Sequence, residues 1–326
     1  MVASAKAAIR YFKVSSFIAP FVALAVFPPA AHDTCCAASV AAKRPRRLYC
    51  VTKCAQHMNR EETVTASVAR EPIKAYWQPG CTSCLRMKEF LTRHGVPFQS
   101  INVLADPGAF AALAELGVRS VPIVQRGSDW ANGQVLRDVA RVAGIPWGGA
   151  QMLPAPQLYR RLVAIQEAAA RLFAQIPDAR TREQLPNRPR SYAELTYHIF
   201  NIADAWLEHE VKGQRLEEGA YNRIPAAGED DKAQVLAYGQ KVMGDLQAWW
   251  ETSGKTADYA RQADVYYGEV NLHEYLERTT WHSGQHVRQL VMVLGMLGIT
   301  PDNPPGPEVF DGLPMPEKVW DAERIT

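Results

Sequence analysis

Trp77-Gln78-Pro79-Gly80-Cys81-Thr82-Ser83-Cys84 is the stretch whose reading decides the fold of the first half of the chain. It follows the apolar run Ile73-Lys74-Ala75-Tyr76, which reads as a short strand. It precedes Leu85 to Leu91, which reads as a helix with Leu85, Lys88 and Leu91 one turn apart. A Cys-x-x-Cys pair therefore sits where a strand turns into a helix. A thiol at a helix N-terminus faces unpaired backbone N–H groups and the positive end of the dipole, and both favour thiolate. Cys84, one turn in, is placed to attack a mixed disulfide on Cys81. The expected chemistry is thiol–disulfide exchange, with Cys81 as nucleophile and Cys84 as resolving thiol. The competing reading is half a zinc site, which needs a second ligand pair. The nearest candidates, Cys50 and Cys54 with His57, fall in a stretch of poor folding character.

The 326 residues predict about two domains, and 47% apolar with 21% charged residues is a globular composition. The net charge of +2 hides an asymmetry: residues 1–60 carry nine Lys/Arg against one acid, so the remainder is mildly acidic. Such a remainder has no electrostatic footprint for nucleic acid. Six cysteines in this length are no disulfide scaffold, and only Cys81 and Cys84 lie in the part expected to fold. That suits a reducing, cytoplasmic compartment. Residues 1–70 are expected to be a disordered or signal-like extension. Basic Lys6, Arg10 and Lys13 precede the apolar run Val14 to Phe27, and small Ala30-Ala31 follow, so export through a signal within 1–31 is the alternative. The run is short for a membrane span, so stable membrane association is not expected. Met58 is a sensible start for the folded protein.

From residue 71 to 145 the pattern alternates. A strand is predicted over Val96 to Val103, a helix from Asp106-Pro107 to Leu116 stopped by Gly117, and a strand over Ser120 to Val124. A short strand near Asp129 to Gly133 and a helix from Gln134 to Ala143 complete it. This order around a Cys-x-x-Cys at the first strand–helix turn resembles the thioredoxin fold, and the length and the Val121-Pro122 step resemble a glutaredoxin. The Cys-Thr-Ser-Cys string also occurs in arsenate-reductase-like regulators of this fold; the Val-Pro step favours glutaredoxin. The resemblance implies that Pro122 is a cis-proline beside the sulfurs and that Val121 and Pro122 bind the substrate or a small thiol such as glutathione. Where many glutaredoxins carry Lys shortly before the first Cys, this chain has Gln78-Pro79-Gly80.

Residues 146–156 read as a Pro/Gly-rich linker, and 157–300 as four long helices. The first, from Gln157 to Gln175, carries an apolar stripe of Leu158, Leu162, Ile165, Ala169, Leu172 and Phe173. The second opens on a capping box, Ser191 with Glu194, and runs to Gly213. The third spans Asp230 to Thr252 and the fourth Asn271 to Leu297. With no competing strand pattern, the second half is expected to be an all-α up-down four-helix bundle, followed by a Pro-rich tail over 301–326, folded over the bundle or loose.

His282 and His286 are i and i+4, the spacing by which a helix presents two ligands to one metal. A third ligand must come from another helix. His198 and His209 share a face of the second helix but lie about 16 Å apart along its axis, so only one can join, and spacing does not choose. The segment Thr280-Trp281-His282-Ser283-Gly284-Gln285-His286-Val287-Arg288-Gln289-Leu290, late in a four-helix domain, resembles the last-helix motif of the DinB/YfiT-like family. That resemblance implies a divalent metal, zinc or nickel foremost, on His198, His282 and His286. Asn201 and Asp204 fall one and two turns along from His198 and are expected as its hydrogen-bond partners, the alternative being exposed polar residues. Several members of that family are thiol S-transferases. The combined expectation is a glutaredoxin-like dithiol oxidoreductase fused to a metal-dependent domain handling the same small thiol. Its partners would be small thiols and disulfides, and a homodimer is allowed. The rival expectations are a redox sensor with a structural metal and a metal-dependent hydrolase using bound water.

Overall fold

The structure, a computed structural model, describes residues 71–321. The expectations for residues 1–70 and for the last five residues lie outside the described part. Strand β1 (Ile73–Trp77) is buried on both faces. Its alternation feeds two cores: Ile73 and Ala75 enter one, Tyr76 the other. It is the centre of a four-stranded sheet in the order β2-β1-β3-β4, with β2 (Phe98–Asn102), β3 (Ile123–Arg126) and β4 (Asp129–Asn132). β2 pairs parallel to β1, with Ile73 opposite Phe98, while β3 pairs antiparallel, with Tyr76 opposite Ile123. Helices α1 (Thr82–Arg93) and α3 (Leu136–Ala143) cover one face through Met87, Phe90, Leu91 and Val139. Helix α2 (Ala109–Glu115) covers the other through Leu113. This is a mixed sheet between helices, consistent with a thioredoxin-like fold. The Val121–Pro122 bond is cis.

Four helices follow: α4 (Ala155–Gln175), α5 (Tyr192–Lys212), α6 (Lys232–Thr252) and α7 (Leu272–Met296). α4 starts two residues earlier than the apolar stripe alone indicates because Pro156 occupies its first turn, where a missing N–H costs nothing. The whole expected α4 stripe is buried. α5 and α7 both open on complete capping boxes, Ser191 with Glu194 and Asn271 with Glu274. Gly239 lets α5 and α6 close up: a Cβ there would lie 2.4 Å from the Phe200 ring. The second half is a helical bundle, as expected, with one minimal ribbon added to it. Gln262–Ala263 (β5) and Val270–Asn271 (β6) pair antiparallel just ahead of α7. Two-residue strands are too short to print a period-two pattern in the sequence.

The two halves pack on each other as parts of one compact unit. Arg86 of α1 lies over the Trp281 ring, Arg137 pairs with Glu274 at 2.5 Å, and Arg188 donates to the Pro79 carbonyl at 2.6 Å. The tail folds down over both. Arg288 donates to the carbonyls of Pro316 and Glu317, and Glu89 of α1 accepts from the backbone N–H groups of Glu317 and Lys318. Trp320 lies against Gly80, and Asp321 pairs with Lys88 at 2.8 Å. Among the described residues no helix is long and apolar enough to cross a membrane.

Glu277 sits at this interface, with Arg86 and Glu274 as its charged neighbours. Burial raises its pKa to about 7, against the partial opposition of Arg86. A carboxyl held above its ordinary value binds its proton more tightly in the folded chain. The stability this adds is complete below pH about 4.5 and is lost as pH rises through about 7. The loss amounts to about 3 kcal/mol. Urea unfolding at pH 5 and pH 8 is expected to show Glu277→Gln losing less stability between the two than the parent chain. Equal losses would contradict the assignment.

Candidate metal centre and redox dithiol

Cys81 is the N-cap of α1, and its sulfur accepts from the Cys84 N–H at 3.2 Å. The two cysteines form a disulfide with Cα atoms 5.2 Å apart. Cys84 is fully buried while Cys81 is only half-buried, so Cys81 is the more accessible sulfur. The turn before it depends on Gly80, whose φ of +67° is a left-handed conformation that suits glycine. A Cβ at Gly80 would lie 2.5 Å from the Trp320 ring and 3.2 Å from Arg188 Cδ. Pro122 is buried, and its carbonyl accepts from the Gly133 N–H at 2.9 Å. Val121 faces the same cavity as Cys81.

His198 comes from the second turn of α5, and His282 and His286 from the middle of α7. All three are buried, and one ring nitrogen from each lies within 4.8 Å of the others. His282 Nε2 and His286 Nε2 are 3.2 Å apart. Burial lowers the pKa of all three; the next largest effect is the charge of Arg190 on His198 and His286, and of Arg278 on His282. His286 is pushed down to about 3. Neutral imidazoles with free lone pairs are what a metal requires. His286 Nδ1 lies 2.7 Å from Gln289 Oε1, an oxygen that can only accept, so Nδ1 carries the hydrogen and Nε2 is left as the ligand atom. The Nδ1 atoms of His198 and His282 are buried without a hydrogen-bond partner. The donor set and its burial fit a divalent cation.

Packing separates the two histidines of α5 that spacing left equal. His209 is engaged elsewhere: its Nδ1 lies 2.8 Å from Glu210, and its Nε2 accepts from the Asp264 N–H at 3.2 Å. The expected partners of His198 are corrected. Asn201 donates instead to the Ala220 carbonyl at 2.7 Å, and Asp204 accepts from the Tyr238 hydroxyl at 2.8 Å. Both lie on α5, but neighbouring segments reach them first.

One cavity of about 170 Å³ is lined by Cys81, Val121, His198, His282 and His286 together. Its wall also holds groups that the sequence did not single out: Arg119, Arg188, Arg190, Tyr221 and Arg278. Arg278 is one helical turn before His282, a spacing that could have flagged it. Arg188 and Arg190 sit in the loop before α5, and no local pattern announces their position.

Residues 73–129 match the Glutaredoxin family model, and residues 161–290 match that of the DinB superfamily. Cys81, Cys84 and Pro122 fall within the first, and the three histidines within the second. The chain thus carries a glutaredoxin domain fused to a DinB-like domain. It is also similar to the Gene 56 protein of Mycobacterium phage L5, with 37% identity over 54 residues, 16% of this chain and 52% of that protein. The chain spans about half the length of the curated relative it matches, and the likeness concerns a short segment only.

Gly80→Ala is expected to cost about 1–3 kcal/mol, from the left-handed backbone and the displaced Trp320 together. Thermal unfolding and tryptophan fluorescence report the two effects. An unchanged midpoint with unchanged emission would show that the tail does not seat on this turn.

Proposed function

We propose that the protein is a dithiol oxidoreductase for small disulfides whose DinB-like domain is a metal-dependent S-transferase acting on the same small thiol. The observation that carries this reading is the common cavity: the reactive end of the dithiol and the three histidines line one space. In the redox step the Cys81 thiolate attacks a disulfide RSSR, forming Cys81–S–SR and releasing RS⁻. Cys84 then attacks the Cys81 sulfur, releasing the second RS⁻ and closing the Cys81–Cys84 bond. Two electrons pass from the protein dithiol to RSSR, and an external thiol must restore the dithiol for another turnover. The Cys84 N–H and the start of α1 stabilise the attacking thiolate. The buried position of Cys84 keeps it in reserve for the second attack.

His198, His282 and His286 would hold zinc or nickel, and Gln289 fixes the tautomer of His286. Such an ion deprotonates a thiol that it binds, which supplies the nucleophile for transfer to an electrophilic carbon. Glutathione is one small thiol that this scheme accommodates. A reduced dithiol working in this way fits the cytoplasm.

Elemental analysis of untagged full-length protein is expected to find about one divalent metal per chain. His198→Ala and the His282→Ala/His286→Ala pair should lose it, while His209→Ala should keep it. Metal retained in the pair variant would remove the triad. Cys81→Ser should abolish disulfide reduction, whereas Cys84→Ser should still form a mixed disulfide. Full dithiol activity in Cys81→Ser would remove the Cys81–Cys84 pair from the redox step.

A further inference from the structure

The wall of the shared cavity has an unbalanced charge. Four arginines line it, Arg119, Arg188, Arg190 and Arg278, and no aspartate or glutamate does. Among the described residues none of the four takes part in an ion pair. Arg278 is 5% exposed, yet its Nε and Nη1 have no hydrogen-bond partner, and only Nη2 is engaged, with Gln134. Its guanidinium is held between the faces of Tyr221 and Tyr267, 4.7 and 4.5 Å from the ring centroids. Arg188 is fixed by the Pro79 carbonyl, two residues before Cys81. Arg190 comes from the same loop, and Glu194 is the carboxylate that acts on it. Arg119 is exposed beside exposed Phe110, where the cavity meets solvent.

A buried guanidinium without an anion is costly, as at Arg278, and the half-buried Arg188 and Arg190 add like charge around the same small cavity. Planar N–H forks are suited to carboxylates. We propose that the cavity is a composite anion site, in which Arg278, Arg188 and Arg190 of the helical domain hold the carboxylates of the small disulfide that Cys81 attacks. The specificity of the redox step is then set by residues outside the redox domain. A volume of about 170 Å³ admits the disulfide and a short acidic arm, and a larger molecule extends past Arg119. The thiol released from Cys81 leaves into the space that His198, His282 and His286 also line. This deepens the reading of Cys81 as a nucleophile toward small disulfides and rests on it.

Three disulfides of similar size separate charge from fit: dithiodipropionate (dianionic), hydroxyethyl disulfide (neutral) and cystamine (dicationic). Each is mixed with pre-reduced full-length protein in a single turnover, where two thiols leave as the Cys81–Cys84 bond closes. Each rate is divided by that of free dithiothreitol with the same disulfide, which removes leaving-group effects. The dianion is expected to lead the neutral probe by at least about tenfold, with cystamine slowest, and raised salt should narrow the spread. Arg278→Gln, and separately the half-buried Arg190→Gln, should each cut the anion preference by about tenfold. Equal normalised rates in the parent, or a preference that both variants keep, overturns the proposal. Calorimetry with dithiodipropionate and the exchange-incompetent Cys81→Ser/Cys84→Ser chain tests the site without its chemistry. Binding that weakens on adding Arg190→Gln supports the anion site even if no disulfide is reduced, an outcome that would remove only the redox reading. Absence of binding overturns it.

Discussion

From Tyr275 to Val287 every residue of α7 is buried, on all sides of the helix. A bundle alone cannot do this, because a helix at its periphery keeps one face for water. The second cover comes from the redox domain and the tail. Arg86 lies over Trp281, Gln134 meets Arg278, and the 316–319 backbone occupies Gln285 and Arg288. The enclosed face is polar, with Glu277, Arg278, His282, Gln285 and His286 on it. Enclosing it costs desolvation, and the cost is visible as a raised carboxyl and lowered imidazoles. The site chemistry therefore depends on the junction of the two halves rather than on either half alone.

The features written locally were legible in the sequence. Cys81 at a strand–helix turn, the Ser191–Glu194 capping box, the α4 stripe and the i,i+4 histidines are each short-range patterns with a direct structural meaning. Pro122 as a cis residue came from family resemblance, because a proline alone does not announce its isomer. Choosing His198 over His209 needed either resemblance or the fold, since both lie on one helical face. The rest was set by tertiary contact. Asp204 looked available to His198, but Tyr238 from α6 takes it. Arg188 and Arg190 gain their place only when the α4–α5 loop reaches the Cys81 turn.

The electrostatics of the cavity run in one direction. Positive guanidinium groups and burial both favour the uncharged form of each histidine. Cys81 lines the same cavity and sits at the positive end of α1. One field thus keeps the imidazoles unprotonated, the state that metal binding requires.

The tail imposes an order on biogenesis. Trp320 and Asp321 settle on the turn and helix that begin at Gly80 and Cys81, some 240 positions earlier in the chain. At ribosomal rates that gap lasts on the order of ten seconds or more. During it the sheet can form around β1, and Arg188 follows before the gap is half over, while the flank of Cys81 still lacks its tryptophan cover. Until the chain has reached Asp321, the turn that carries Cys81 therefore stands without its last cover.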